Sequence, residues 1–384
     1  MKKASFFALV CALLLALVPA VNAAEPYKIG AVLSLTGRLS FIGDPEKKAI
    51  DLIVKQINSQ GGINGHPLEI VYYDDETTEM KTVNFVKKVI QKDKVLGIIG
   101  PSSSGSTFAT VPIAEKAKVP MLSLAGSTSF VYPLDKKRYI FSAGMPANNQ
   151  IETQLWYLKM KGISKIATLT SSNAFGEAGR EWVMKLAPIH GMKIVLQEKF
   201  KQGDKDITPQ LTRIKASDAQ GIISWCAGPT AIILTKNYYS LGIKIPLMAD
   251  LANATKFFID RVGQSFEGRR MIVTNAQVAD TLPDTDPLKS VAQKFWGPYA
   301  KAYGKDPDTF ALMGAAALQI YAEALKKSGA DRDKLREAIE NIQGLPTPLF
   351  IASMSSHDHI AAKGGVSIGT IKAGKWVYIP PAQW

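Results

Sequence analysis

Apolar strands alternate with helical segments along this chain, with turns of small polar residues between them, and that alternation constrains its fold more than any other feature. From Lys28 the sequence reads KIGAVLSLTG, a run ending at Asp75 reads GGINGHPLEIVYYDD, and Gly100 to Thr107 reads GPSSSGST. Ile29 to Leu35 is a buried-type strand by its apolar run. A helix is expected from Asp44, which is a good N-cap, with Pro45 at the first helical position and Gly61-Gly62 ending it. Ile50, Ile53 and Ile57 share one helical stripe. Leu68 to Tyr73 follows as a strand, Thr82 to Gln91 as a helix and Val95 to Ile99 as a strand. A helix begins near Ser104, and Met121 to Leu124 is the next strand. This βαβ rhythm implies right-handed crossovers and a parallel sheet. A turn at the carboxyl end of such a strand exposes backbone N–H groups to a small anion.

The rhythm restarts after Gly144. Lys165 to Thr170, Lys193 to Gln197, Gly221 to Trp225 and Ile245 to Met248 read as strands separated by helices, two of them Asn173 to Ile189 and Thr230 to Tyr239. Two successive α/β units of similar size imply two lobes with a cleft between them. Helices near Asp286 to Tyr303, Thr309 to Lys327 and Arg332 to Ile342 have no regular strand partners, and periodicity alone assigns them to neither lobe.

Met1 to Ala23 has the physics of a signal peptide: Lys2 and Lys3, an apolar Ala4 to Val18, then Val21-Asn22-Ala23 with cleavage expected after Ala23. The apolar run is short for a bilayer span and ends at Pro19. Val10 before Cys11 disfavours lipidation. The expectation is a mature chain free in the periplasm, with room for two domains. Cleavage leaves Cys226 as its one cysteine, so no internal disulfide can staple it. The formal charge of +13 includes Lys2 and Lys3, and the other lysines are spread along the chain. Solvated helix faces fit that spread better than a nucleic-acid surface, which would concentrate cations among aromatics.

Enzymatic chemistry finds little support. No GxGxxG follows the first strand, and no GxSxG elbow or Walker loop occurs. Cys226 lacks an obvious base. His357 and His359 flank Asp358, but histidines at i and i+2 on a strand face opposite ways, so a surface turn is expected rather than a metal site. No cofactor is expected.

GGINGHPLEIVYYDD, GPSSSGST, SLAGST after the Met121 strand, and NAFGEAG at Asn173 to Gly179 together resemble the periplasmic leucine/isoleucine/valine-binding family of ABC importers, from about Tyr27 to Gly369. The resemblance implies an α/β, two-lobed type I periplasmic-binding-protein fold, each lobe a parallel sheet flanked by helices, with three hinge crossings near Gly144, Thr274 and Thr347. One lobe would then be 24–144 with 275–347, and the other 145–274 with 348–384. It also implies that a solute's carboxylate is held by Ser104, Ala125 and Ser127, and that the solute is passed to ABC permease transmembrane subunits by a monomer.

Where the family carries tyrosines in the pocket, this chain has Phe175, Ile42 with Phe41 beside it, and a position near Gly228 after the strand ending at Trp225. The family's acidic partner for the ligand ammonium falls near Asp250. Phe41, Ile42, Phe175 and Trp225 are therefore candidate wall residues, with Trp225 equally a candidate for the core. The implied function is binding of a small carboxylate-bearing solute, a branched-chain or related amino acid. The alternatives are an aromatic or aliphatic acid without an amine, or a ligand-binding partner of a sensor.

Overall fold

The computed structural model describes residues 24–266 and 268–384, so the expected signal peptide lies outside the described residues. The first unit runs β1 (Tyr27–Leu33), α1 (Ser40–Ser59), β2 (Leu68–Asp74), α2 (Glu79–Gln91), β3 (Gly97–Ile99), α3 (Ser104–Ala117), β4 (Met121–Ser123) and β5 (Ile140–Ser142). Its five strands form a parallel sheet of order β2-β1-β3-β4-β5. The second runs α4 (Ala147–Met160), β6 (Lys165–Ser171), α5 (Ala174–Leu186), β7 (Lys193–Phe200), α6 (Thr208–Ala216), β8 (Gly221–Trp225), α7 (Pro229–Ser240) and β9 (Leu247–Ala249). Its parallel sheet has the order β7-β6-β8-β9. In each sheet the first strand of the unit lies between the second and the third, which opens a crevice at the strands' carboxyl ends.

The remainder contributes α8 (Lys256–Val262), β10 (Met271–Thr274), three long helices and a pair of late strands. The helices are α9 (Pro287–Tyr303), α10 (Thr309–Ser328) and α11 (Arg332–Glu340). After the short antiparallel pair β11 (Leu345–Pro346) and β12 (Ile351–Ala352), β13 (Val366–Lys372) and β14 (Lys375–Tyr378) join β10 in an antiparallel sheet. Met271 and Val273 of β10 pack into the same apolar cluster as Ala167, Ile222 and Ala249 of the second unit.

The helices without obvious strand partners find theirs through packing. The face of α10 is apolar almost all round, and it packs on α1 beside the first sheet. Tyr321 reaches from α10 into the gap between β3 and β4, where its hydroxyl accepts from Ile98 N–H at 3.0 Å and lies 2.7 Å from the Pro120 carbonyl.

Three local readings change. The helix α1 begins at Ser40 rather than at Asp44, and Pro45 lies inside it. The entry is set from outside the helix: Leu39 N–H donates to Thr77 Oγ1, and Asp74 Oδ1 accepts from Leu35 and Thr36 N–H. Asp44 instead pairs with Lys48 one turn on. His359 is buried rather than in a surface turn, with Nδ1 2.9 Å from the Ile140 carbonyl and Nε2 3.2 Å from Glu340 Oε1. The helix α4 and the strands β5, β10, β13 and β14 carry no distinct signal in the sequence reading. Among the described residues no helix is long and apolar enough to cross a membrane.

The Tyr321 contact generates a stability prediction. Tyr321→Phe keeps the packing but removes a fully buried hydroxyl's bonds to the edges of two strands, and it is expected to cost about 0.5–1.5 kcal/mol. Urea denaturation of the pair would read this as a lowered midpoint at unchanged slope; coincident curves would show that the hydroxyl contributes nothing.

Candidate functional site

The carboxyl ends of the two parallel sheets face each other across a cavity with about 960 Å³ of empty space, its mouth included. From the first unit, Arg38 and Leu39 follow β1, Ser102 to Gly105 follow β3, and Leu124 and Gly126 follow β4. From the second, Asn173 to Phe175 follow β6, Gln202 follows β7, Ala227 follows β8, and Leu251 and Ala252 follow β9. Phe310 and Met313 of α10 close one side. The approach is close: a side-chain carbon added to Gly126 would fall 2.7 Å from the Phe175 ring.

The serine turn divides its labour. Ser102 Oγ donates to Glu46 Oε2 at 2.6 Å and accepts from Ser34 N–H at 3.2 Å. Ser103 caps α3 by accepting from Ser106 N–H. Ser106 lies 2.9 Å from Thr82 Oγ1, which donates in turn to Asp75 Oδ2. Ser104 Oγ accepts from Ser127 N–H at 3.2 Å, and a hydroxyl that accepts keeps its own hydrogen to donate. Ser104 lines the cavity at the first turn of α3, where the N–H groups of Ser104 and Gly105 have no partner within the helix. Three hydroxyls of the turn thus hold it in place, and Ser104 Oγ keeps a donor hydrogen at the cavity wall.

Burial shapes the acids behind this turn. It pushes Glu46 well above the ordinary carboxylate range, against the Ser102 hydrogen bond, and it raises Asp75 as well. Burial also works on Asp74, but there the hydrogen bonds from Thr36, Glu76 and Leu35 outweigh it and the carboxyl is lowered.

Of the eight residues singled out in the sequence, Ser104, Ile42 and Phe175 line the cavity. Ser127 and Ala125 are buried just behind it, Ser127 N–H supporting Ser104. Trp225 belongs to the core: it is fully buried behind Phe175, ring centroids 5.5 Å apart, and is covered by Gly179. Phe41 is not a wall residue but a bridge between the units, stacked on Phe257 with centroids 4.8 Å apart and edge-on to Phe310.

Asp250 does not line the cavity. It is fully buried as the cap of the turn after β9, accepting from Ala252 N–H (2.9 Å), Cys226 N–H (3.0 Å) and Asn253 Nδ2 (3.2 Å). With its oxygens committed to these donors, it has none to offer a solute.

Arg38, Glu79, Gln150 and Gln202 also line the cavity and went unnoticed in the sequence. Arg38 and Glu79 lie outside the strand-end motifs. Gln150 sits on α4, which carried no signal, and its side chain spans from the Met145 carbonyl to Leu251 N–H.

With this geometry in view, the comparisons with known proteins are decisive. Residues 26–375 match the family described as periplasmic binding protein. The chain belongs to that family. Its members bind solutes and are not enzymes, which agrees with the lack of catalytic motifs. A leucine-, isoleucine-, valine-, threonine- and alanine-binding protein of Pseudomonas aeruginosa is 25% identical over 319 residues, 83% of each chain. The Leu/Ile/Val-binding protein of Escherichia coli K12 is 24% identical over 79% of this chain and 80% of its own. Among solved structures, an extracellular ligand-binding receptor from Rhodopseudomonas palustris HaA2 superposes with a TM-score of 0.85 at 22% identity, covering 93% of this chain and all of the other. A branched-chain amino acid transporter substrate-binding protein from Streptococcus pneumoniae, in complex with isoleucine, gives 0.78 at 21% identity over 93% of this chain and all of its own. The two-lobed α/β fold of this binding protein is thereby shown.

The buried cap predicts a pH dependence of stability. Burial pushes the Asp250 carboxyl up to about 7, against the N–H groups of Cys226 and Ala252 that pull it down. The folded protein then holds this proton more tightly than the unfolded chain, whose Asp titrates near about 3.9. The stabilisation is full below the unfolded value and is lost as pH rises through the folded one. Unfolding free energy should fall between about pH 4 and pH 8, and Asp250→Asn should reduce that slope. An identical slope in the variant would show that Asp250 titrates alike in both states.

Proposed function

We propose that this protein is the extracytoplasmic solute-binding component of an ABC importer, and that it encloses a small carboxylate-bearing solute, a branched-chain or related amino acid, between its lobes. The observation that carries the reading is Ser104, whose donor hydrogen is free to turn to a solute at the start of α3 inside a cavity of mixed polar and apolar lining. Free N–H groups and the helix dipole favour an anion there by roughly 0.3–1 kcal/mol, and a hydroxyl donor to a charged group adds about 1.5–3 kcal/mol. Leu39, Ile42, Leu124 and Phe175 offer apolar contact to the rest of the solute. Relatives named for binding leucine, isoleucine and valine support the same class.

The crossings near Gly144, Thr274 and Thr347 serve as hinges in this reading, and the permease's transmembrane subunits are the partner. The solute favours the closed form through its extra contacts with Phe175 and its neighbours on the second lobe. A second reading, a carboxylate without an amine, draws on one observation: Asp250 is committed to backbone and Asn253 donors and cannot pair with an ammonium.

A thermal-shift screen of the mature protein against amino acids and aromatic or aliphatic acids tests the class, since a ligand at about 100 times its Kd should stabilise by roughly 2.7 kcal/mol. For a ligand found in this way, Ser104→Ala is expected to weaken binding roughly tenfold to a hundredfold by calorimetry. Unchanged affinity in a folded variant would put the carboxylate elsewhere.

A further inference from the structure

Only two charged residues among those described line the cavity, Arg38 and Glu79, and both come from the first lobe. Neither side chain makes a hydrogen bond or an ion pair with another described residue. They are carried on two loops lashed together: Asp74 Oδ1 accepts from Leu35, Thr36 and Glu76 N–H, Thr36 Oγ1 donates to Asp74 Oδ2, and Thr77 Oγ1 accepts from Leu39 N–H. Glu79 opens α2 and leans on the serine turn: a side-chain carbon added to Gly105 would come within 2.1 Å of Glu79 Oε1. Gly105 is the residue after Ser104. One carbon separates the two charges of an α-amino acid, so a carboxylate on Ser104 places its ammonium beside the neighbouring wall. The one carboxylate on that wall is Glu79, and every acid of the second lobe, Asp250 included, is absent from the lining.

We infer that Glu79 is the partner of the solute's α-ammonium group. The inference rests on the reading of Ser104 as the carboxylate anchor. Its consequence is that both ends of the zwitterion are read by the first lobe, and that lobe 2 supplies contacts with the side chain. The resemblance assigned the ammonium to an acid of the other lobe, where this chain offers only the spent Asp250. Glu79 stands exposed at the rim and loses water only as the solute covers it. Arg38, on the facing loop, adds the opposite charge and disfavours a solute whose side chain is cationic.

Calorimetry on the parent, Glu79→Gln and Glu79→Asp tests this, with two matched probe pairs: leucine against 4-methylpentanoate, and phenylalanine against 3-phenylpropanoate. The parent should prefer the amino acid of the pair it binds. Glu79→Gln should weaken that amino acid roughly tenfold to a hundredfold while the deaminated acid changes by less than about twofold, and Glu79→Asp should restore part of the preference. An equal loss for both members of a pair would mean that Glu79 only supports the fold, and the inference fails. It fails likewise if Glu79→Gln changes nothing, or if the parent prefers the deaminated acid, which leaves the carboxylate anchor standing. A parent that binds neither pair removes the amino-acid reading itself, and the inference with it.

Discussion

The hydrogen bond between Ser102 and the buried Glu46 is the contact on which the rest of the cleft depends. The turn after β3 leads into α3 at the wall of the cavity, and an irregular backbone at that depth has to be held by side chains. Ser102, Ser34, Asp75, Thr82 and Ser106 form a chain of short hydrogen bonds that does so, with Glu46 at one end. Glu46 and Asp75 are both pushed up by burial, Glu46 against the Ser102 hydrogen bond and Asp75 against those from Ser34, Thr77 and Thr82.

This arrangement places rigidity on one lobe and adaptability on the other. The first lobe fixes Ser104 through Ser127 and the shared network, and it ties Arg38 to Glu79 through Asp74 and Thr77. The second lobe faces the cavity with Phe175, backed by Trp225, and with amides already engaged elsewhere, such as Gln150. Phe41 and Phe257 stack beside the cavity and bury aromatic surface there.

Much of the fold was legible in the sequence, because parallel α/β units announce themselves as apolar runs separated by capped helices. Gly221–Trp225 begins and ends where it was expected, and the helix expected from Asn173 begins one residue later, with Asn173 as its cap. What escaped was decided by contacts far apart in the chain. The start of α1 is fixed by Thr77 rather than by Asp44, and β10 pairs with β13 across more than ninety residues, which brings the local β13–β14 hairpin with it. His359 is buried by Glu340 and the Ile140 carbonyl, neither of which its own neighbourhood could reveal.

The candidate site divides in the same way. The sequence by itself determined the two-lobed architecture and the serine turn with Ser104 at the head of a helix, because helix starts and strand ends are local features and an anion needs only those. It also singled out Ile42 and Phe175, two of the apolar residues in the lining. Tertiary structure alone decided that Trp225 and Phe41 are packing rather than lining, that Asp250 spends its oxygens on Cys226, Ala252 and Asn253, and that Arg38 and Glu79 reach the cavity instead. The physical reason is direction: a residue's position along a strand or loop follows from local pattern, but which way its side chain turns is settled by the partners that other parts of the chain bring to it.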